Sequence, residues 1–190
     1  MNLLAVAHNY ISQNKKIILM KPSVDTRLLE TSKSIEDVTS RTGVTMKAHV
    51  IIKDVESLNE GYLNNMKDAV CVLVDEAQFL KKEEIDLLRN ISHEIPVICY
   101  GLKTDFKTNL FEGSKRLLEV ADSIEEIKTI CSMSNCNKKA IYSFKIKKIS
   151  KGNLNTIDEN DSEESYQQID LGGNEKYIPV CAIHYANYDL

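Results

Sequence analysis

No run of about 18 apolar residues occurs in this sequence, which argues against a membrane-spanning helix. Met1-Asn2-Leu3-Leu4-Ala5-Val6-Ala7 is briefly apolar. No basic segment precedes it, and His8 and Asn9 cut it short, so it does not read as a signal peptide. The expected compartment is the cytoplasm. Positive charge is not in excess either: 24 Lys and Arg against 28 Asp and Glu leave a net charge of −4. Composition therefore offers a nucleic acid no general basic surface. Glycine is scarce, at seven residues, and none belongs to a G-x-x-x-x-G-K-[ST] phosphate loop. There is no internal repeat. Five cysteines in a cytoplasmic chain read as core residues or metal ligands rather than disulfides.

What is present suits an α/β protein. The 190 residues are 43% hydrophobic and 27% charged, enough for one domain with a small appendage or one large domain. Met1 to about Asn14 reads as a helix and Ile17 to Met20 as a buried strand. A polar stretch from Ser23 to Gly43 has no sustained periodicity and reads as a long loop. A short strand, Ala48 to Ile52, and a helix, Val55 to about Lys67, come next. Then follow the strand Val70 to Val74, a helix from about Lys81 to His93, a strand Pro96 to Tyr100, and a helix from about Ser114 to Ala121. Strands and helices alternating in this way predict βαβ units on a parallel sheet.

After about Ile130 the character changes. Cys131 and Cys136 flank a polar turn, Ile141 to Ile149 alternates, and Ser150 to Glu164 is acidic and reads as a mobile loop between two strands. Cys131-x4-Cys136 and Cys181-x2-His184 offer four ligands for a structural zinc ion. Free thiols in a small core are the competing reading. Cys71 and Cys99 lie within apolar strands and read as core. His8, His49 and His93 have no partner pattern.

Val70-Cys71-Val72-Leu73-Val74 carries the clearest chemical signal, because it runs straight into Asp75-Glu76. Open α/β sheets place ligands at the carboxyl ends of such strands. There an Asp can hold Mg²⁺ and a Glu can accept a proton, although acidic residues that merely reach solvent look the same. Asp25-Thr26-Arg27 follows another strand end and adds a carboxylate and a guanidinium suited to phosphate; a plain surface turn would read alike. Phe106 and Phe111 stand on a loop beyond a third strand, where they could enclose a flat ring or simply cover the sheet edge.

Several stretches carry a resemblance in order along the chain. They are Lys21-Pro22-Ser23-Val24-Asp25-Thr26-Arg27, Ser40-Arg41-Thr42-Gly43, Val74-Asp75-Glu76-Ala77-Gln78-Phe79-Leu80 and Tyr100-Gly101-Leu102-Lys103-Thr104-Asp105-Phe106. Leu110-Phe111-Glu112-Gly113-Ser114, Lys128-Thr129-Ile130-Cys131, Gly172-Gly173-Asn174-Glu175-Lys176-Tyr177 and the pair Cys181 and His184 continue the series. Together they resemble the zinc-containing thymidine kinase family, in its bacterial and phage branch.

The resemblance implies an α/β fold: a P-loop-kinase (RecA-like) parallel sheet missing its first strand, residues 1–129, with a C-terminal zinc-binding lasso subdomain, residues 130–190. It implies transfer of the γ-phosphoryl group of ATP, with Mg²⁺, to the 5′-hydroxyl of thymidine by a cytoplasmic homotetramer, with no nucleic-acid or membrane partner. Carried over by position, Glu76 is the general base, and Asp25, Thr26, Arg27, Asp75 and Gln78 serve ATP and its metal. Phe106, Phe111, Gln168, Ile169, Asp170, Leu171, Gly172 and Tyr177 serve the nucleoside. Cys131, Cys136, Cys181 and His184 hold structural zinc.

Two departures stand out. The family opens with a strand and a phosphate loop ahead of its first helix, whereas Leu3 to Tyr10 already matches the body of that helix. The chain is thus expected to begin inside the family's fold and to have little or no activity as these 190 residues alone. The spacer between Cys131 and Cys136 is also longer than in relatives. A non-catalytic, zinc-stabilised nucleoside-binding or interaction remnant of a kinase is the alternative expectation.

Overall fold

The structure, a computed structural model, describes residues 2–24, 34, 36–40, 43–145 and 177–187. The chain divides into two units, Met1–Lys103 with Phe111–Asp122, and Thr104–Leu110 with Ser123–Leu190.

The first unit is built on a sheet of four parallel strands, β1 (Lys16–Pro22), β4 (Val50–Ile52), β5 (Ala69–Val74) and β6 (Val97–Cys99), in the order β4-β1-β5-β6. The two central strands are apolar at successive positions because both faces of the sheet are covered. Ile18, Met20, Val72 and Val74 point to one face, where α2 (Val55–Asn65) contributes Leu58 and Tyr62 and α3 (Lys82–Ile91) contributes Ile85, Leu88 and Ile91. Ile17, Leu19, Cys71 and Leu73 point to the other, against Leu3, Leu4 and Ala7 of α1 (Asn2–Ser12). The alternation is the two-residue period of a strand read on both sides.

The helix starts are encoded locally. Asp54 caps α2: its carboxylate accepts from the Ser57 amide at 2.8 Å, while the Ser57 hydroxyl accepts from the Asp54 amide at 3.0 Å. At α3, Glu84 folds back to accept the Lys81 amide at 2.7 Å. Helix α4 (Glu112–Val120) begins slightly earlier than its pattern predicts, and Arg116 ties it to α3 through Asp86 at 2.6 Å.

The described part of the polar stretch departs from its reading as loop at β2 (Asp37–Thr39), which pairs antiparallel with β3 (Thr45–Lys47) just beyond it, matching Val38 with Met46. Strands of three residues, with one buried apolar side chain between them, leave no periodic signal. His49 also has a partner: its Nδ1 accepts the Leu19 amide at 2.8 Å. Burial, helped by nearby Lys16, lowers its pKa and keeps the ring neutral for that role.

In the second unit β7 (Tyr142–Lys145) and β8 (Tyr177–Val180) form an antiparallel pair, followed by the short helix α5 (Ala182–Ala186). Cys131, Phe144, Val180 and Cys181 form its buried core. Among the described residues, no helix is long and apolar enough to cross a membrane.

Leu73 is fully buried, so Leu73→Ala should cost about 2–5 kcal/mol, read as a lower urea midpoint. Leu63→Ala, at a side chain 56% exposed, should change stability by less than about 0.5 kcal/mol.

Candidate active site and metal centre

Chain order and sheet order together locate a crevice. From β1 the chain moves outward to β4 at the sheet's edge, then returns to the opposite side of β1 as β5 and continues to β6. The connections leaving β1 and β5 therefore diverge, and the carboxyl ends of these neighbours form a topological switch point. Asp75 and Glu76 sit there, both half-buried.

The backbone around them is tied on both sides. The Asp75 amide donates to the Met20 carbonyl of β1 at 2.9 Å, and the Ala77 amide donates to the Tyr100 carbonyl beyond β6 at 2.9 Å. Between these anchors Glu76 adopts φ 49°, ψ 38°, a left-handed conformation that a side chain disfavours by roughly 1–2 kcal/mol. Strain of this kind concentrates where function needs it.

Gln78 fixes the carboxylate. The side chain is 2% exposed. Its Nε2 donates to Glu76 Oε2 at 2.6 Å and its Oε1 accepts the Leu102 amide at 3.1 Å. The amide thus has one orientation, with the donor toward Glu76. Leu102 is held in turn by Ser114, whose hydroxyl donates to the Leu102 carbonyl at 2.6 Å.

Two glycines let the backbones close in. A Cβ on Gly101 would stand 2.5 Å from Gln78 Oε1, and one on Gly113 would stand 2.5 Å from the Ala77 carbonyl oxygen and 2.6 Å from that of Leu80. The turn Ala77–Phe79 is clamped between them. Phe111 is buried and meets Phe79 edge-on, with ring centroids 5.7 Å apart.

In the second unit, Thr104 and Leu110 pair across a tight loop. Asp105 organises that loop: Oδ1 accepts the amides of Lys107 and Asn109, each at 2.9 Å. The loop presents Phe106, whose ring lies 6.0 Å from that of Tyr177 at a 40° tilt. Lys107 Nζ stands 6.0 Å from the Phe106 ring centroid.

The same unit gathers Cys131, Cys136, Cys181 and His184, whose ligand atoms all lie within 4.8 Å of one another. Cys131 Sγ is 3.3 Å from His184 Nδ1, Cys181 Sγ is 3.4 Å from it, and the sulfurs of Cys136 and Cys181 are 3.9 Å apart. Burial pushes the Cys131 thiol up, but the amides of Met133 and Cys181 and the side chains of His184 and Cys136 draw it down to about 6. The Lys138 amide lowers Cys136, and burial with the neighbouring sulfurs outweighs it and raises that thiol. Three thiols and an imidazole converging on one point can hold a thiophilic metal ion.

Comparison with known proteins agrees with these features. The thymidine kinase family model matches residues 1–185. A thymidine kinase of Streptococcus gordonii is 41% identical over 99% of this chain and 90% of its own length. One of Lactococcus lactis is 44% identical over 96% of this chain and 88% of its own, and one of Streptococcus agalactiae 42% over 99% and 90%. The chain belongs to the thymidine kinase family.

The family consists of ATP-dependent phosphotransferases, and several site residues expected of this member come together. Glu76, Asp75 and Gln78 share the strand-end turn of the first unit. Phe106 and Tyr177 pair in the second, which also assembles the four candidate metal ligands. Phe111 spends its ring on Phe79 inside the first unit. Asp25, Thr26, Arg27, Gln168, Ile169, Asp170, Leu171 and Gly172 lie outside the described residues, as does the acidic stretch after Ser150.

Sequence reasoning missed the clamping roles of Gly101 and Gly113. Their place within the resembling stretches was the available signal, but a close approach between distant backbones has no local pattern. Gly113→Ala should destabilise the protein by about 1–3 kcal/mol, because the new methyl meets main-chain oxygens that cannot rotate away. Thermal or urea unfolding reads this directly.

Proposed function

We propose that this chain transfers the γ-phosphoryl group of ATP to the 5′-hydroxyl of thymidine, with Glu76 as general base. The observation that carries the reading is the Glu76 carboxylate, set on a strained turn at the switch point and oriented by Gln78. Phosphoryl transfer is mostly positioning and neutralisation of charge. What the chain must supply is an acceptor for the 5′-hydroxyl proton in a fixed place, and Glu76 supplies it. Asp75, beside it, is suited to hold Mg²⁺ through water. When bound, Mg²⁺ offsets charge on the phosphate oxygens. Asp25, Thr26 and Arg27 are assigned by resemblance to the phosphates and metal, as is Gln78.

Phe106 and Tyr177 are assigned to the thymine ring, a flat partner suited to aromatic faces and edges. Phe111 and the segment Gln168, Ile169, Asp170, Leu171 and Gly172 are assigned to the nucleoside on resemblance. The same resemblance supports a homotetramer, which light scattering on the purified chain tests.

The metal is zinc, in a structural role. With Zn–S near 2.3 Å and Zn–N near 2.0–2.1 Å, tetrahedral coordination separates two sulfurs by about 3.8 Å and sulfur from nitrogen by about 3.5 Å. The observed 3.9, 3.3 and 3.4 Å fit that ion. Four protein ligands leave no open position for catalysis. Elemental analysis should find one zinc per chain. Cys181→Ser should lower that content well below one and lower the unfolding midpoint. No zinc in the wild-type chain would refute the assignment.

Phosphorylation of labelled thymidine with Mg-ATP tests the reaction, measured on the 190 residues and on the same chain with a G-x-x-x-x-G-K-[ST] segment placed ahead of α1. In whichever form is active, Glu76→Gln should lower kcat about 10²–10⁴-fold. An unchanged rate would refute the base, and no product from either form would refute the reaction.

A further inference from the structure

Tyr185 belongs to neither the metal ligands nor the residues that the resemblance assigns to the nucleoside. It is carried by α5, immediately after the ligand His184, and its hydroxyl donates to the main-chain oxygen of Phe106 at 2.7 Å across 79 residues of sequence. The ring stacks on Tyr142, with centroids 4.4 Å apart and planes inclined by 30°, which fixes the direction of the hydroxyl.

The bonded oxygen belongs to the peptide unit joining Phe106 to Lys107. The N–H of that same unit donates to Asp105 Oδ1 at 2.9 Å, and the Asp105 side chain is buried. One peptide plane is thus pinned at both edges, by Asp105 from within the loop and by Tyr185 from α5. Since peptide planes do not bend easily, pinning both edges removes the rotation that would swing the Phe106 side chain off its line. The Phe106 ring then stands against Tyr177 before any ligand arrives.

We infer that Tyr185 is a positioning residue for nucleoside binding, holding the Phe106 peptide so that the aromatic pair is preset for a flat base. The inference rests on the assignment of Phe106 to thymine. Its physical basis is preorganisation. Water that replaces the hydroxyl at this part-buried carbonyl recovers most of the bond, but it cannot fix the plane, so a base that binds a loosened loop must itself supply the ordering.

The experiment uses the full metal-loaded chain and thymidine alone, by calorimetry, so phosphoryl transfer does not enter. Tyr185→Phe keeps the stacked ring and removes the hydroxyl. It should raise the thymidine Kd about three- to tenfold and leave the metal content unchanged. Amide exchange at Lys107 should quicken, with β7 and β8 unchanged; a merely structural loosening would quicken all of these. In a Phe106→Leu background the same change should cost less than about twofold further. An unaltered Kd or Lys107 exchange in Tyr185→Phe overturns the role, as does a loss that adds in full to that of Phe106→Leu. A wild-type chain that binds no thymidine instead overturns the assignment of the nucleoside. Binding by the wild type with no change in the variant overturns Tyr185 alone.

Discussion

The anchoring of one strand end supports everything proposed for the first unit. Strand β5 lies between β1 and β6 in the sheet, and residues 71–74 are fully buried. It can neither slide nor turn over without exposing apolar side chains on one face or the other. The residues that follow it inherit this fixity through two main-chain bonds, one to Met20 and one to Tyr100. A reactive carboxylate on a flexible loop would have to be ordered at each turnover. Here the ordering cost is met during folding, by the hydrophobic burial that builds the sheet.

The same reasoning explains which parts of the molecule could be read from residues alone. The strands around Leu19 and Leu73 and the helix through Leu88 are long enough to repeat their period, and their ends fall within two residues of where the pattern places them. The place of Asp75 and Glu76 at the carboxyl end of an inner strand was legible, because the apolar run from Val70 to Val74 stops on them. The pairing of Val38 with Met46 left no such mark, since each strand has three residues. Gly101 and Gly113 are separated by twelve positions and clamp one turn from two sides. Only the fold brings them to it. The metal ligands were legible as residue types with suitable spacing. What spacing does not contain is the distance between the Cys131–Cys136 turn and α5, which the pairing of β7 with β8 sets.

The second unit solves a different problem from the first. Among its described residues, the buried cluster of Cys131, Phe144, Val180 and Cys181 shares Cys131 and Cys181 with the candidate ligand set. A bound metal ion contributes free energy only when its ligands are assembled, so metal affinity becomes folding stability. A metal ion held by the four side chains would therefore add directly to the stability of this unit.

Glu76 shows why rigidity at these places matters for chemistry. A left-handed backbone at a residue other than glycine is maintained only when its surroundings over-determine it. Gln78 supplies part of that determination and, with the same amide, orders the carboxylate itself. Because its Oε1 is occupied by the Leu102 amide, the Gln78 side chain cannot flip to present an acceptor to Glu76. Oε2 is therefore offered a donor from a fixed place. For the base role proposed for Glu76, the carboxylate is thus ordered by the fold before any ligand arrives.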